Sequence, residues 1–233
     1  MNLSKLEDKA YEKLKANNFV VFKIKDLKML LNINETKAYN LIKSLKNKGV
    51  IKKKKGFFYL NNADEFVIAS NIHFPAYVSF WSALNYYGFS DNLPKKIFLA
   101  TTKYSKEIDS FKYVYFSKKR FFGYTSIGKM IIAKKEKAII DSLLFPKYSG
   151  GIKEIKLSLN NAFKILDKSK LIDYAIKTES KAVIRRLGFL LEEKGFKNLS
   201  KLKKNIGEGY ELLDPTLLKK NNLNKVWLLD INI

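Results

Sequence analysis

Four consecutive lysines, Lys52 to Lys55, come shortly after a segment in which Thr36, Lys37, Tyr39, Asn40 and Lys43 recur on the polar side of a helical repeat. Clustered ammonium groups neutralise phosphates and release condensed counterions, while hydroxyl and carboxamide groups can bond to base edges. The chemistry these residues offer is binding to a polyanion. Catalysis has no comparable candidate. Acidic residues are scattered singly, which leaves paired-carboxylate and two-metal mechanisms without a constellation. No phosphate-loop, dinucleotide-binding, nucleophile-elbow or zinc-protease pattern occurs, and Gly150-Gly151 lacks the lysine and hydroxyl that a phosphate loop uses. The single histidine, His73, sits among apolar and aromatic residues, and there is no cysteine. No catalytic residue, metal or cofactor is expected.

The elements that must position the basic groups can be read from apolar spacing. Leu3, Leu6, Ala10 and Leu14 recur at helical intervals and predict a first helix. Phe19 to Phe22 is too short for a helix and reads as a strand. A second helix runs from Ile24 to Leu31 and ends in Asn32-Ile33-Asn34, where Asn suits a turn and can cap the next helix. The third helix, Glu35 to Lys48, turns Ala38, Leu41, Ile42 and Leu45 inward and stops at Gly49. Val50 and Ile51 open a strand, Lys52 to Lys55 with Gly56 form a tight basic turn, and Phe57 to Leu60 returns.

That order resembles a winged helix-turn-helix. It implies a DNA-binding domain over residues 1–62, with Asn34, Thr36, Lys37, Tyr39, Asn40 and Lys43 on the recognition helix and Lys52, Lys53, Lys54 and Lys55 on the wing. The same scaffold also serves protein-interaction or RNA-binding modules, and that alternative stays open. Lys+Arg 45 against Asp+Glu 22 leaves a formal charge of +23, which favours any polyanion. Lys, Asn, Ile, Phe and Tyr are all abundant, as AT-rich coding would produce, so where the charge sits matters more than its total. No apolar run approaches the roughly 18 residues of a membrane span. A cytoplasmic protein with no membrane partner is expected.

Residues 63–233 predict a mixed second domain, making the chain α+β. A helix at Ala63 to Ile72 precedes one at Tyr77 to Tyr87, which Gly88 closes and in which Tyr77, Phe80, Trp81 and Leu84 share a face. Strands at Ile97 to Thr101 and Tyr113 to Phe116, with Phe121 to Tyr124 and Lys129 to Ala133, build a small sheet over about 95–133. A mainly helical portion over about 134–206 follows, with helices at Lys134 to Phe145, Ile152 to Phe163, Lys168 to Lys177, Lys181 to Glu193 behind Ser180, and Leu199 to Asn205. Val226 to Asp230 reads as a last strand. Asp141 lies in a mostly apolar helix and, if buried, needs a partner. Arg185 and Arg186, the only adjacent arginines, are the expected source, with one of them free to face a partner molecule.

Three stretches, YVSFWSALNYYGFSDNLPKKIFLAT, KEKAIIDSLLFPKYSGG and SKAVIRRLGFLLEEKGF, occur in that order behind the first domain. Together they resemble the AbiEi family of antitoxins and transcriptional regulators of type IV toxin-antitoxin systems, over nearly the whole chain. Tyr87-Gly88 departs from the histidine-glycine that family often carries. The resemblance implies a non-enzymatic autorepressor that binds repeats in its own promoter DNA and counteracts a nucleotidyltransferase-like toxin.

Overall fold

The computed structural model describes residues 2–17 and 19–233. The chain is α+β and divides into two compact units. The first takes in the chain up to Pro75 together with Ser126–Ile131, and the second takes in Ala76–Thr125 and Ile132–Ile233.

The first unit begins with α1 (Lys5–Ala16), β1 (Val21–Phe22), α2 (Ile24–Leu31) and α3 (Glu35–Asn47). Then β2 (Ile51–Lys54) and β3 (Phe57–Leu60) pair antiparallel, and β1 adds to the free side of β3. Phe22, Leu27, Leu41, Leu45 and Phe58 meet in its core, so one inward stripe from each helix closes over one face of the sheet. Between α2 and α3 the chain turns at Asn32, whose φ of 53° is a left-handed value that asparagine tolerates.

One carboxylate ties α1 to the end of α3. Glu7 accepts from Ser4 N at 2.6 Å in a reciprocal cap, from Lys48 Nζ at 2.7 Å, and from the Ser44 hydroxyl. The Lys48 bond, with the Ser44 and Ser4 bonds behind it, holds the Glu7 carboxyl down at about 2, below its ordinary 4.5. A depressed carboxylate contributes stability above the unfolded value and loses it as pH falls through the folded one. Glu7→Gln is therefore expected to lower Tm at pH 7, and the gap to the wild-type protein should close as pH drops from about 4.5 towards 2. Thermal melts across that range check it.

A further helix, α4 (Glu65–Ile72), starts where Asp64 accepts from Phe66 N at 2.8 Å and Val67 N at 3.2 Å. Ser70 Oγ accepts from Ile131 N at 3.2 Å, and Asn71 Nδ2 donates to Lys129 O at 3.1 Å. These bonds carry α4 and residues 126–131 into the first unit, which runs past the limit expected at residue 62.

In the second unit the expected helix from Tyr77 to Tyr87 divides. Ala76–Val78 is a buried strand, β4, and the helix α5 covers only Phe80–Tyr86. Ala76, Tyr77 and Val78 pair with Thr101, Ala100 and Leu99 of β5 (Ile97–Thr101), and Phe80 reverses the chain at a φ of 55°. Tyr77 therefore belongs to the sheet rather than to a face shared with Phe80, Trp81 and Leu84. The remaining strands of the sheet are β6 (Lys106–Ile108), β7 (Phe111–Tyr115), β8 (Tyr124–Ile127) and β9 (Met130–Ala133), the last two running on into the residues 126–131 assigned to the first unit. Their order, β6-β7-β5-β4-β9-β8, makes a six-stranded mixed sheet that begins at residue 76, larger than the small sheet expected from residue 95.

The helices α6 (Lys135–Leu144), α7 (Gly151–Ala162), α8 (Lys168–Lys177), α9 (Lys181–Glu193) and α10 (Ser200–Lys203) follow. Ser180 caps α9 by accepting from Val183 N at 3.4 Å. The expected terminal strand, Val226 to Asp230, shrinks to β12 (Leu229–Asp230) because Leu228 takes a left-handed φ of 50° that breaks the extended run. β12 lies between β10 (Glu211–Leu212) and β11 (Leu223–Asn224) in a third sheet that periodicity did not reveal. Trp227 is fully buried, and its Nε1 donates to Glu192 Oε2 at 2.7 Å. It lies so close to Gly188 that an added Cβ there would stand 2.1 Å from the ring. Only glycine permits that approach.

Candidate nucleic-acid interface

Asn34 opens α3 as its cap, its side-chain oxygen accepting from Lys37 N at 2.9 Å. Thr36, Lys37, Tyr39, Asn40 and Lys43 are all exposed, while Ala38, Leu41, Ile42 and Leu45 are buried. At about 100° per residue, Thr36, Asn40, Lys43 and Asn47 fall within about 60° of one another on the outward side. Tyr39 and Lys46 flank that stripe on one side, and Lys37 stands about 100° from Thr36 on the other. Lys37, about 60° beyond Asn40, stands at the far edge of this exposed face.

The lysine run does not form the turn. Lys52 to Lys54 belong to β2, and Lys54 pairs with Phe57, which leaves only Lys55 and Gly56 between the strands. Side chains alternate along a strand, so Lys53 shares the face of Ile51 and Phe58 while Lys52 and Lys54 occupy the opposite face. The pairing with Phe57 to Leu60 is what draws the lysines into the ladder. Lys55 (φ 47°) and Gly56 (φ 83°) make a two-residue turn that needs positive φ at both positions. Lysine is poorly suited to the first of them. Lys55→Asn is expected to stabilise the protein by roughly 1 kcal/mol. Urea denaturation reads the gain.

Between α3 and the hairpin lies a groove of about 580 Å³. Tyr39, Lys43 and Lys46 of α3 form one wall, and Lys53, Gly56 and Phe58 of the hairpin form the other. Lys23, Lys25 and Lys28, at and within α2, line the remaining side. Six lysines therefore converge on the groove against a single carboxylate, Glu35, which Lys28 holds at 3.0 Å. Aromatic faces help to place two of these cations, with Lys23 Nζ 4.6 Å from the Phe57 ring centre and Lys53 Nζ 5.7 Å from that of Phe58. Of the ten residues expected at a nucleic-acid surface, Tyr39, Lys43 and Lys53 line this groove, and Asn34, Thr36, Lys37, Asn40, Lys52, Lys54 and Lys55 lie outside its lining. Lys23, Lys25, Lys28 and Lys46 were not anticipated. Lys25 and Lys28 are three apart in a helix read only for its inward leucines, which was the available signal.

In the second unit Asp141 does not meet either expected arginine. It is fully buried and accepts from Lys137, one turn earlier on α6, from Ser79 Oγ at 2.7 Å and from Tyr77 Oη at 3.0 Å. Burial pushes the Asp141 carboxyl up and the Lys137 ammonium down, and each partner's charge opposes the other's shift. Burial, and then the charge of Asp141, pushes the Tyr77 hydroxyl well above its ordinary value. Lys137 also lies 4.5 Å from the Phe122 ring centre and 5.0 Å from that of Phe116. The lysine serves because it is already at i−4 on the same helix, within reach without any long-range docking.

Both arginines are buried and both bind backbone carbonyls instead. Arg185 donates to Ile206 O at 2.9 Å and Glu208 O at 2.6 Å, while Arg186 donates to Leu143 O and Leu212 O. The three ordered stretches are thereby stitched together, since Tyr77 and Ser79 of the first reach Asp141 of the second, and Arg186 of the third reaches Leu143 of the second. The residues that join them are buried, while Tyr86, Leu93 and Lys147 of the same stretches are exposed.

Among the described residues no helix is long and apolar enough to cross a membrane. No family model and no curated protein matches the chain. Among solved structures it is similar to the crystal structure of RV2827C protein from Mycobacterium tuberculosis, with a TM-score of 0.65 at 12% identity over 98% of this chain and 92% of that one. At that identity the likeness is one of fold, and the fold is α+β.

Proposed function

We propose that the chain is a DNA-binding transcriptional regulator whose first unit is a winged helix-turn-helix, with α3 as recognition helix and the β2–β3 hairpin as wing. One observation carries this reading: six lysines from three elements line a single groove beside the exposed polar face of α3, against one paired glutamate. A duplex offers that groove a continuous line of phosphates and offers Thr36, Asn40 and Asn47 base edges to bond. Binding, not catalysis, is the activity on this reading.

We infer further that it represses its own promoter and acts as an antitoxin against a nucleotidyltransferase-like toxin. The support is the ordered set of stretches that resemble AbiEi proteins. The buried bonds that join them suit a shared core and leave the toxin-facing surface unassigned.

Competition binding at fixed salt tests the regulatory half. The protein is expected to prefer duplex from its own upstream region over random duplex and over folded RNA, and equal affinity for all three would refute it. Co-expression with the product of the neighbouring gene tests the other half, with relief of growth arrest as the expected result and persistent arrest as the refutation.

A further inference from the structure

Arg186 is 4% exposed and carries a charge that its hydrogen bonds leave uncompensated. Its Nη1 donates to Leu143 O at 2.9 Å, and Nη2 and Nε donate to Leu212 O at 3.1 and 3.4 Å. All of these acceptors are neutral carbonyls. A guanidinium has five N–H groups, so one on each terminal nitrogen is uncommitted. The acidic groups that act on it through space are Glu211 and Asp214. Asp214 is already engaged, its Oδ2 accepting from Ile152 N at 2.7 Å and its Oδ1 from Thr216 N at 2.9 Å and Thr216 Oγ1 at 2.6 Å. The Arg186 fork therefore has room for an acceptor from outside.

Arg186 is among the residues that line a cavity of about 350 Å³ in the second unit. Leu144, Phe145, Pro146 and Ala182 give it apolar walls, and the exposed Lys147 adds a second cation. No acidic residue lines it. The volume lies in the range of small-ligand sites, and a cationic residue beside apolar walls selects for both ends of a ligand at once. A planar fork matches a carboxylate through two parallel N–H···O bonds, and the low polarity around it strengthens them.

We propose that this cavity is a binding site for a monocarboxylate with a short apolar body, its carboxylate accepting from the two uncommitted N–H groups of Arg186 and its body lying against Phe145, Pro146 and Ala182. This goes beyond the reading of the chain as a DNA-binding regulator and does not depend on it.

Titration of the full chain with 3-methylbutanoate, its neutral amide, acetate and inorganic phosphate, followed by calorimetry and amide NMR, tests the site. The acid is expected to bind about tenfold more tightly than the amide, because the amide forfeits the charge-assisted pair. Acetate should bind more weakly than 3-methylbutanoate for want of apolar contact. Lys147→Glu, at an exposed position, should weaken the acid severalfold and leave the amide unchanged. Ala182→Phe, which fills the cavity from a half-buried position, should abolish binding of the acid. Equal affinity for acid and amide, phosphate binding as well as the acid, or an acid affinity that neither substitution changes would each overturn the proposal, as would no binding at all.

Discussion

Replacing Lys43, Lys46 and Lys53 together with glutamine is expected to reduce affinity for duplex DNA on the order of a hundredfold at near-physiological salt. The three side chains come from α3 and β2 yet line one groove, so a single phosphate track can meet all of them. Each neutralised phosphate releases about 0.9 of a condensed cation, and losing three such contacts lowers the slope of log K against log salt by about 2.7. Titrations at several salt concentrations measure both quantities. Lys37, Lys52 and Lys55 replaced together with glutamine, which removes the same three charges outside the groove lining, serves as the control and is expected to do little. Asn40→Ala has a different signature. It should leave the slope intact and relax sequence preference, by about 1–3 kcal/mol if a bidentate base contact is lost. A triple variant with an unchanged slope would show that the groove does not follow the phosphates.

Asp141→Ala is expected to destabilise the second unit by about 3–5 kcal/mol, the usual consequence of breaking a buried ion pair from one side. The carboxylate is the acceptor for Lys137, Tyr77 and Ser79, all of them buried. Its loss leaves an ammonium and two hydroxyls without that acceptor in an apolar interior. Replacing both charges, as Lys137→Met with Asp141→Leu, should cost less than the single change, because no buried charge is then left alone. Urea denaturation of the two variants and the wild-type protein reads the difference. A loss below about 1 kcal/mol for Asp141→Ala would mean that water reaches the cluster.

Where local signals and long-range pairing agree, the sequence was easy to read. α3 is bounded by a capping asparagine at its start and a glycine just past its end, and its inward residues keep helical spacing throughout, so its limits could be placed within a residue or so. In the segment Ala76 to Tyr86 a strand and a helix meet at Ser79, whose hydroxyl donates to Asp141 instead of capping the helix, so the local capping signal that marks the start of α3 is missing there. Lys52 to Lys54 were misplaced because lysine is a weak strand former, and only the aromatic partner strand reveals the ladder. At Asp141 the partner is a lysine four residues away on the same helix, not one of the distant arginines. The groove itself could be anticipated on α3 and the hairpin, but the contribution of α2 emerges only once three elements that are separate in sequence face one space.

At two residues each, β10, β11 and β12 are too short to persist through their own pairing. They are held by Trp227 seated on Gly188 of α9 and by Asp214 fastened to Ile152 at the start of α7. Residues 211–230 are consequently fastened as a clasp, and their buried amides are expected to exchange with deuterium only when α7 or α9 lets go. Protection in that segment is a report on helices that precede it by tens of residues.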